Sequence, residues 1–458
     1  MSTSPIGIGM IGCGTVGGGV AKLLHEQREL YASRLGRAVE LRKVLVRDAK
    51  KAGREGCVSA DLLTTDAEAF FATKDMPIVV EVAGGTTAAL TYVRRAIEAG
   101  KHVITANKAL LAAHGHDLFA LARKHKVAIA FEASVAGGIP VITATQFGLM
   151  ANRIDALYGI LNGTCNYILT EMTRKSKSYA TALSEAQQAG FAEADPTLDV
   201  SGMDAAQKLA VIASLAFGTS VHESDVYCEG IDALDLADIK FAAELGYDIK
   251  LLAIAERVRS AEFGVRSGEA SQDSAPRTPH SALSLRVHPS FIHADAPLAS
   301  VHGPFNALSA YGHAVGHVMF YGRGAGALPT ASAVVSDVLN VACGWYPQAC
   351  QQMHLLCDNH EPVSTVAMDD LVSRFYLRMA ALDVPGVMAK VSEILGDAGI
   401  SLSAILQHEA NIGQFVPLVI VTHQAKQGAI RAALEKIETM DVIDGKPVCI
   451  RIVDMPGE

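Results

Sequence analysis

The sequence predicts an α/β chain of three parts: a doubly wound parallel domain, an α+β domain and a small C-terminal βαββαβ domain. Short β-rich runs alternate with helical stretches over the first 135 residues, which is typical of a parallel sheet covered by helices. A glycine-rich turn directly follows the first of these runs. The tail from Phe375 to Val453 has the order strand, helix, strand, strand, helix, strand.

Length and composition exclude several classes of protein. The 458 residues suffice for about three domains of roughly 150 residues each. Half of the residues are apolar and 19% are charged, which predicts sizeable cores. A net charge of −9 without a long basic run argues against nucleic acid and anionic membranes as partners. No apolar run approaches the roughly 20 residues that a membrane span needs.

The cysteines and the N-terminal residues predict a cytoplasmic protein. The eight cysteines are scattered without a disulfide framework, which fits reduced thiols. The first residues lack a basic segment followed by an apolar one, so we expect no signal peptide.

Residues 1–135 are predicted to form a Rossmann-type nucleotide domain. Its predicted strands are Ile6–Ile11, Glu40–Val46, Ile78–Val82, His102–Thr105 and Val127–Phe131. Gly12, Gly14 and Gly17 form a G-x-G-x-x-G motif between the first strand and an apolar helix, the context in which this motif indicates dinucleotide binding. The pyrophosphate is then expected at the helix N-terminus, beside Thr15 and Val16.

The end of the second predicted strand bears on the choice between NADP and NAD. Its first polar residue is Arg47, and Lys50 and Lys51 follow. A guanidinium suits the 2′-phosphate of NADP, which is the cofactor that we predict. Alternatively, these cations are ordinary surface charges and Asp48 binds the ribose of NAD.

Residues 136–325 are predicted to form the second domain. It contains a strand at Ile154–Leu161 and helices at Tyr167–Lys175, Tyr179–Ala189 and Asp204–Phe217. The Ser/Pro/Gly-rich segment Gly264–Ala282 is predicted to be a mobile surface loop.

The segment from Gly190 to Lys208 places four acids ahead of one lysine. The acids are Glu193, Asp195, Asp199 and Asp204. Asp204 and Lys208 stand at i and i+4 on a helix that is apolar all round, which indicates a buried helix and a site for a polar ligand. The alternative is a solvated capping loop with a surface ion pair.

Several strings of the sequence together resemble the homoserine dehydrogenase family. They are A-N-K at 106–108, E-A-S-V-A-G-G-I-P at 132–140, L-N-G-T-C-N-Y-I-L at 161–169, the acid-rich segment, and G-R-G-A-G-A-L-P-T at 322–330. Cys165 departs from the family, which usually has threonine or serine there. The resemblance implies reversible, nicotinamide-dependent conversion of aspartate 4-semialdehyde to L-homoserine, in threonine, methionine and isoleucine biosynthesis.

The resemblance also implies roles for particular residues. Lys208 is the expected acid that protonates the carbonyl oxygen. Lys108 is expected to end the fourth strand of the nucleotide domain, at the carboxyl edge of the sheet, with an auxiliary part near the substrate oxygen or the nicotinamide. Glu193 and Asp204 are expected to bind the ammonium group of the substrate, and Asp199 to orient Lys208.

Two glycines and a turn complete the expected site. Gly190 and Gly326 would let the backbone approach the cofactor closely. Glu132 and the carbonyls of Val135, Gly137 and Ile139 would hold sodium or a similar monovalent cation, as the resemblance implies. Alternatively, this turn is a glycine-rich hinge between domains. The resemblance further implies that a helix from about 326 to 350 returns to the nucleotide domain.

Residues 372–458 resemble an ACT domain, a ferredoxin-like domain that binds amino acids. The segment 382–387 and Gly399-Ile400 correspond to the ligand loops of that family. The resemblance implies threonine as the effector, and a homodimer or homotetramer. Alternatively, the domain serves only packing or dimerisation.

Two other functions are compatible with such a sequence. A semialdehyde dehydrogenase would need a nucleophilic cysteine paired with a histidine. Cys13 lies in the phosphate loop and Cys165 has no histidine within twenty residues, which counts against that reaction. A catalytically silent amino-acid sensor is the other alternative, against which the presence of Lys108, Glu193, Asp204 and Lys208 argues.

Overall fold

The structure, a computed structural model, describes residues 4–50, 58–258, 282–353, 363–408 and 413–456. The predicted surface loop Gly264–Ala282, apart from Ala282, and Lys51 lie outside these residues. The chain divides into two compact units. The first unit comprises Met1–Gly163, Met203–Val226 and Pro304–Val363, and the second comprises Thr164–Gly202, Tyr227–Gly303 and Ser364–Glu458.

Helices and strands follow one another along the whole of the described chain. Up to residue 160 they are β1 (Ile6–Ile11), α1 (Thr15–Glu26), α2 (Arg28–Leu35), β2 (Val39–Leu45), β3 (Leu63–Thr64), α3 (Ala67–Phe71), β4 (Ile78–Glu81), α4 (Thr87–Glu98), β5 (His102–Thr105), α5 (Lys108–Lys124), β6 (Ile129–Ala130), α6 (Val141–Thr143) and β7 (Ile154–Ile160). From residue 163 to 323 they are α7 (Gly163–Lys175), α8 (Tyr179–Gln188), α9 (Thr197–Val200), α10 (Met203–Phe217), β8 (Tyr227–Cys228), α11 (Leu236–Glu244), β9 (Tyr247–Val258), β10 (Ala282–His293), β11 (Phe305–Gly312) and β12 (Gly316–Arg323). The remaining elements are α12 (Ala327–Ala342), α13 (Trp345–Gln352), β13 (Val372–Leu382), α14 (Val387–Asp397), β14 (Leu402–Gln407), β15 (Phe415–Thr422), β16 (Ala425–Lys426), α15 (Gln427–Glu438) and β17 (Ile443–Ile452).

The first unit contains the predicted doubly wound sheet. Its parallel strands have the order β3-β2-β1-β4-β5-β6. Every residue of β1 is buried, as expected for a central parallel strand covered on both faces. Helix α12 packs on α1, and a Cβ added to Gly19 would lie 2.8 Å from the carbonyl oxygen of Ala327. Glycine therefore allows these two helices to approach closely.

The first unit also contains strands outside the parallel sheet. Strand β11 pairs antiparallel with β12 on one side and with β7 on the other. Helix α10 lies against α5. Ten of the fifteen residues of α10 are buried, among them Asp204. The sequence prediction of a buried rather than a superficial helix is thus confirmed.

The second unit contains the C-terminal βαββαβ arrangement. Strands β13, β14, β15 and β17 have the order β17-β13-β15-β14, and the buried side chains of α14 and α15 share one apolar core with the sheet. This order is that of a ferredoxin-like fold. The predicted fold class, a Rossmann-type sheet followed by an α+β part and an ACT-type domain, is confirmed.

The C-terminal residues do not form a separate unit. Strand β17 pairs parallel with β10 through Phe291 and Ile452. The buried carboxylate of Asp238 accepts hydrogen bonds from the Tyr376 hydroxyl (3.0 Å) and from Nε of Arg378 (2.6 Å). The C-terminal segment is therefore packed as part of the second unit. Its removal would leave the Asp238 charge buried and unpaired, at a cost of several kcal/mol.

Among the described residues, no single helix is both long and apolar enough to cross a bilayer. Helices α12 and α13 together reach the required length and hydropathy, but they are bent by 76° with respect to each other.

Candidate active site

Lys108 and Lys208 converge on the carboxylate of Asp204 in the first unit. Lys208 Nζ donates a hydrogen bond to Asp204 Oδ2 at 2.8 Å, as the i, i+4 spacing predicts. Lys108 Nζ lies 3.2 Å from Oδ1 of the same carboxylate. The side chain of Asp204 is 9% exposed, that of Lys208 12% and that of Lys108 27%. This partly open cluster of two cations and one anion contradicts the alternative of a surface ion pair.

Two further groups fix this cluster. The Asn162 side-chain amide donates to Asp204 Oδ2 at 2.8 Å. Lys208 Nζ also donates to the backbone oxygen of Leu161 at 2.7 Å. Because Leu161 and Asn162 directly follow β7, the end of this strand sets where the Lys208 ammonium lies.

The ionisation of Asp204 is controlled by these neighbours. Burial alone would raise the pKa of the Asp204 carboxyl. The charges of Lys208 and Lys108, with the hydrogen bonds from Lys208 and Asn162, outweigh burial and lower this pKa below its ordinary value. Asp204 is therefore a carboxylate at neutral pH and serves as the counter-ion of both lysines.

Lys108 is the first residue of α5, which corrects the expectation that it ends a strand. Strand β5 ends at Thr105. The Asn107 side chain then caps the helix by accepting a hydrogen bond from the Leu110 amide at 3.1 Å, an interaction that favours helix initiation. Lys108 nevertheless lies just beyond the carboxyl end of a parallel strand, where ligands of such sheets bind.

A buried carboxylate organises the loop beside Lys108. Glu81 ends β4, and its Oε1 accepts hydrogen bonds from the amides of Ala83 (2.9 Å) and Gly84 (3.0 Å). Its Oε2 accepts a hydrogen bond from the Thr105 hydroxyl at 2.7 Å. The ends of two neighbouring strands and the loop after β4 are thus held together by one side chain.

The loop between β1 and α1 has the geometry of a dinucleotide-binding turn. Gly12 has φ +96°, and an added Cβ would lie 2.7 Å from backbone atoms of Ala83. Helix α1 begins at Thr15 with Gly14 as its N-cap and without a side-chain cap. The first backbone amides of α1, including those of Thr15 and Val16, are therefore available for an anion. These residues fit the pyrophosphate of a dinucleotide.

Arg47 and Asp48 follow β2 at the same edge of the sheet, and both are exposed. Asp48 Oδ1 accepts a hydrogen bond from the Lys50 amide at 2.8 Å, which gives this loop a local turn. Gly326 is the N-cap of α12 and has φ +120°. Its conformation is one that residues with a side chain rarely adopt.

Gly190, Glu193 and Asp199 belong to the second unit. Gly190 has φ +74° and follows α8, so it ends that helix as glycine commonly does. Glu193 is exposed, whereas Asp199 is half-buried. The backbone oxygen of Asp199 accepts a hydrogen bond from Cys165 Sγ at 3.2 Å. The structure thus brings Lys108, Asp204 and Lys208 together. It describes Gly190, Glu193 and Asp199 only within the second unit.

Asp195 and Cys165 have local structural roles. Asp195 Oδ1 accepts hydrogen bonds from the Thr197 amide (3.1 Å) and hydroxyl (2.6 Å), just before α9. Cys165 is fully buried, and its thiol donates to the backbone. A nucleophile needs access to its substrate, so this cysteine does not support semialdehyde dehydrogenase chemistry.

The turn around Glu132 offers oxygen ligands for a cation. The Glu132 carboxylate accepts hydrogen bonds from the amides of Ile142 (2.9 Å) and Thr143 (2.8 Å). Burial raises the pKa of Glu132. Ala136 and Gly137, with φ +52° and +41°, bend the backbone here. A buried carboxylate beside backbone carbonyls is a hard-oxygen environment that fits a monovalent cation.

No group of three or more His, Cys, Asp or Glu side chains suited to a metal occurs in the part of the chain that the structure describes. A cation at Glu132 would therefore depend on carbonyl ligands such as those of Val135, Gly137 and Ile139. The Ile139 oxygen already accepts a hydrogen bond from the Val141 amide at 2.8 Å.

A cavity of about 410 Å³ lies in the C-terminal part of the second unit. It is bounded by residues 381–388, Gln407 and Leu418. Asp383 lines it and accepts a hydrogen bond from the Gln407 amide at 3.2 Å. Gly386, with φ +93°, is the N-cap of the eleven-residue helix α14 at this cavity.

Asn162 and Glu81 are two residues near the lysine cluster that sequence reasoning missed. Asn162 lies in the L-N-G-T-C-N string, but its contact with Asp204 spans 42 residues. Glu81 interrupts an otherwise apolar run, Ile78–Val82. A lone acid at the end of a buried strand was the available signal, because buried carboxylates need hydrogen-bond donors.

Models of known families match most of the chain. A model described as homoserine dehydrogenase matches residues 140–339, its NAD-binding domain matches residues 12–132, and an ACT domain model matches residues 375–439.

Individual proteins match over almost the full length. A homoserine dehydrogenase of Synechocystis sp. is 42% identical over 97% of this chain and 99% of its own. That of Pseudomonas aeruginosa is 41% identical over 98% and 99%. The crystal structure of a homoserine dehydrogenase from Thiobacillus denitrificans superposes with a TM-score of 0.87 at 39% identity, covering 98% of this chain and 99% of that one.

Proposed function

Because this chain belongs to the homoserine dehydrogenase family, we propose that it interconverts L-aspartate 4-semialdehyde and L-homoserine with NADP(H). The observation that carries the proposal is the cluster of Lys108, Asp204 and Lys208 near the carboxyl edge of the nucleotide-binding sheet. The product would serve threonine, methionine and isoleucine biosynthesis in the cytoplasm. The enzyme would act as a homodimer or homotetramer.

In the proposed mechanism, Lys208 transfers the proton and the bound nicotinamide supplies or accepts the hydride. In the reducing direction the Lys208 ammonium gives a proton to the carbonyl oxygen of the semialdehyde. In the oxidising direction the neutral amine of Lys208 takes the proton of the homoserine hydroxyl and becomes the ammonium. Asp204 and the Leu161 carbonyl orient Lys208, and Lys108 stabilises the substrate oxygen or the nicotinamide end.

The binding roles predicted from the sequence are part of the proposal. Glu193 and Asp204 would bind the substrate ammonium, and Asp199 would help to orient Lys208. Gly190 and Gly326 would lie against the cofactor. Gly12, Gly14, Thr15 and Val16 would hold its pyrophosphate, as the positive φ of Gly12 and the uncapped start of α1 support.

A direct assay tests the reaction. The purified protein is expected to reduce NADP⁺ in the presence of L-homoserine, followed by absorbance at the wavelength of NADPH. Absence of this activity, together with none in the reverse direction, would contradict the function and would favour a silent sensor.

Glu193→Gln is expected to raise KM for homoserine by about tenfold or more, with little change in KM for NADP⁺. The substitution keeps the shape and removes the charge opposite the ammonium, a charge-assisted contact worth roughly 1.5–3 kcal/mol. Steady-state kinetics with each substrate varied in turn give both constants. Asp195→Asn is the matched control, because it removes a charge two residues away and retains an acceptor for Thr197. A higher KM for NADP⁺ alone would refute the assignment.

Arg47→Asp is expected to shift the ratio of kcat/KM for NADP⁺ over NAD⁺ toward NAD⁺ by at least about tenfold. The exposed guanidinium after β2 suits a 2′-phosphate, whereas an aspartate there can accept from the ribose hydroxyls. Arg34→Asp, an equal change of charge at an exposed position of α2, is the control. An unchanged ratio would place the selectivity elsewhere, for example at Lys50.

We also propose a monovalent cation, such as sodium, at Glu132 and the carbonyls of Val135, Gly137 and Ile139. The buried carboxylate supports it, since a cation would offset the raised pKa of Glu132. In this role the ion would stabilise the turn and take no direct part in proton or hydride transfer.

The ACT-type domain is proposed to bind threonine as a feedback inhibitor. The cavity beside Gly386 supports this role, because Asp383 can accept from an ammonium and the first amides of α14 can bind a carboxylate. Coupling between such a site and catalysis is typically worth about 1–3 kcal/mol, so inhibition should saturate and be partial.

Asp383→Asn is expected to raise the threonine concentration for half-maximal inhibition by about tenfold, at unchanged uninhibited kcat, because it removes the charge that faces the ammonium. Initial rates against threonine concentration measure the effect. Asp397→Asn, at an exposed position of the same domain, is the control. An enzyme that ignores threonine, or a variant inhibited like the wild type, would contradict the proposal and favour a packing or dimerisation role.

A further inference from the structure

Asn306, the second residue of β11, shares a hydrogen-bond acceptor with Lys208. Its side-chain Nδ2 donates to the Leu161 carbonyl oxygen at 2.9 Å, and Lys208 Nζ donates to the same oxygen at 2.7 Å. Asn306 is 1% exposed. The position of the carbonyl that receives the Lys208 ammonium therefore depends on Asn306.

The other end of the Asn306 amide is a buried acceptor. Because a carbonyl oxygen can only accept, Nδ2 must face Leu161 and Oδ1 must point away from it. Oδ1 is buried and accepts no hydrogen bond from any residue that the structure describes. Such a group costs about 1–3 kcal/mol when it stays unsatisfied, so Oδ1 is available to accept a hydrogen bond from a donor that a ligand brings.

The neighbours of Asn306 place its Oδ1 close to the turn that precedes α12. A Cβ added to Gly324 would lie 2.0 Å from Asn306 Cγ, so only a glycine leaves room for this side chain. Gly324 is two residues before Gly326, which begins α12, and α12 packs on α1. Asn306 therefore lies between two features of the first unit. One is the turn from Gly324 to Gly326, which precedes α12, and the other is the Leu161 carbonyl that binds Lys208.

We propose that Asn306 is a positioning residue that fixes Lys208 through Leu161 and accepts a hydrogen bond from an N–H group of a bound ligand. Two ligands of the proposed reaction carry such a group, namely the carboxamide of the nicotinamide and the ammonium of homoserine. The inference rests on the proposed function. It adds to the proposed site one residue with two roles, positioning Lys208 and binding a ligand N–H group, which experiments can separate.

Two substitutions at Asn306 separate these roles. Asn306→Leu has a similar volume and removes both donor and acceptor, so kcat should fall about tenfold and one ligand should bind about tenfold more weakly. Asn306→Asp retains an acceptor oxygen but cannot donate to Leu161, so kcat should fall while the affinity stays near that of the wild type. The NADPH dissociation constant, from its fluorescence on free enzyme, and KM for homoserine at saturating NADP⁺ identify the ligand that carries the N–H.

Gly324→Ala tests the same inference from the neighbouring side. The backbone of Gly324 is not left-handed, so alanine brings only the steric conflict with Asn306. It should reproduce the lower kcat and the weaker binding of Asn306→Leu. Ser309→Ala removes a part-buried hydrogen bond to His317 on the same strand pair and controls for structural damage. It should lower Tm without changing kcat.

The combined outcome decides the inference. A lower kcat in all three variants, with weaker ligand binding in Asn306→Leu and Gly324→Ala only, supports it. Wild-type kcat and affinities in these variants, or a change in Tm alone, would overturn it. If Asn306→Leu does not fold, Asn306→Asp and Gly324→Ala still decide. A wild-type enzyme without homoserine activity would instead refute the proposed function.

Discussion

Replacing Lys208 with alanine is expected to lower kcat by about 10² to 10⁴, the range for loss of a positioned general acid. The dissociation constant of NADPH should stay within about twofold, because Lys208 contacts Asp204 and Leu161 rather than the dinucleotide-binding turn. Stopped-flow or steady-state rates in both directions, with NADPH fluorescence titration, measure the two quantities.

Lys175→Ala is the matched control for this substitution. Lys175 also forms an i, i+4 ion pair, with Glu171 at 2.8 Å, but its side chain is 58% exposed. Its loss should leave kcat unchanged, because Lys175 is not part of the Asp204 cluster and the buried Glu171 keeps Lys177 as its partner. Near-normal turnover of the Lys208 variant would exclude its role as the proton donor.

Asp204→Asn is expected to lower kcat by about 10² and to destabilise the protein. It leaves two lysines without their shared counter-ion in a largely buried site, and removal of one partner from a buried pair costs about 3–5 kcal/mol. Displacement of Lys208 by even 1 Å can account for the kinetic loss. Thermal unfolding and steady-state kinetics measure both effects, with Asp155→Asn, a partner of the exposed Arg153, as the control.

The pH dependence of this stability difference has a defined sign. The pKa of Asp204 is lower in the folded protein, so its stabilising contribution is complete above the unfolded value of about 3.9. This contribution is lost as the pH falls through the lower folded value. The difference in Tm between wild type and Asp204→Asn should be constant above about pH 5 and shrink below about pH 4. A difference that shrinks near pH 7 would contradict this assignment.

Local sequence signals were sufficient for the parallel sheet and for part of the site. The run Ile6–Ile11 contains no polar side chain and is followed directly by Gly12, so the C-terminal end of β1 could be predicted. The i, i+4 spacing of Asp204 and Lys208 could likewise be predicted, since it depends only on helical geometry.

Other elements depend on contacts that are distant in sequence. Strand β3 has two residues, and only its pairing with β2 defines it. Strands β9 and β10 were not predicted because polar side chains interrupt their apolar pattern while being buried. Lys250, for example, donates to the Val301 oxygen at 2.8 Å, and burial lowers its pKa to about 8.

The approach of Lys108 to Asp204 could not be predicted for the same reason. The two residues are far apart in the sequence, and packing of α5 on α10 brings them together. Asn306 and Gly324 are likewise neighbours only because β11, β12 and the following turn fold back on each other. Side-chain contacts between such segments are properties of the folded chain.

The ion pairs at Asp238 and Glu229 limit how the C-terminal segment can be exchanged between relatives. Arg378 is held by Asp238, and Arg451, from the last strand, is held by Glu229 at 2.6 Å. A chimaera that takes residues 364–458 from another enzyme inherits two arginines whose acidic partners lie far upstream in the chain. A stable exchange of this segment therefore requires that both residues of each pair be exchanged together, and relatives that change one residue of a pair are expected to change the other.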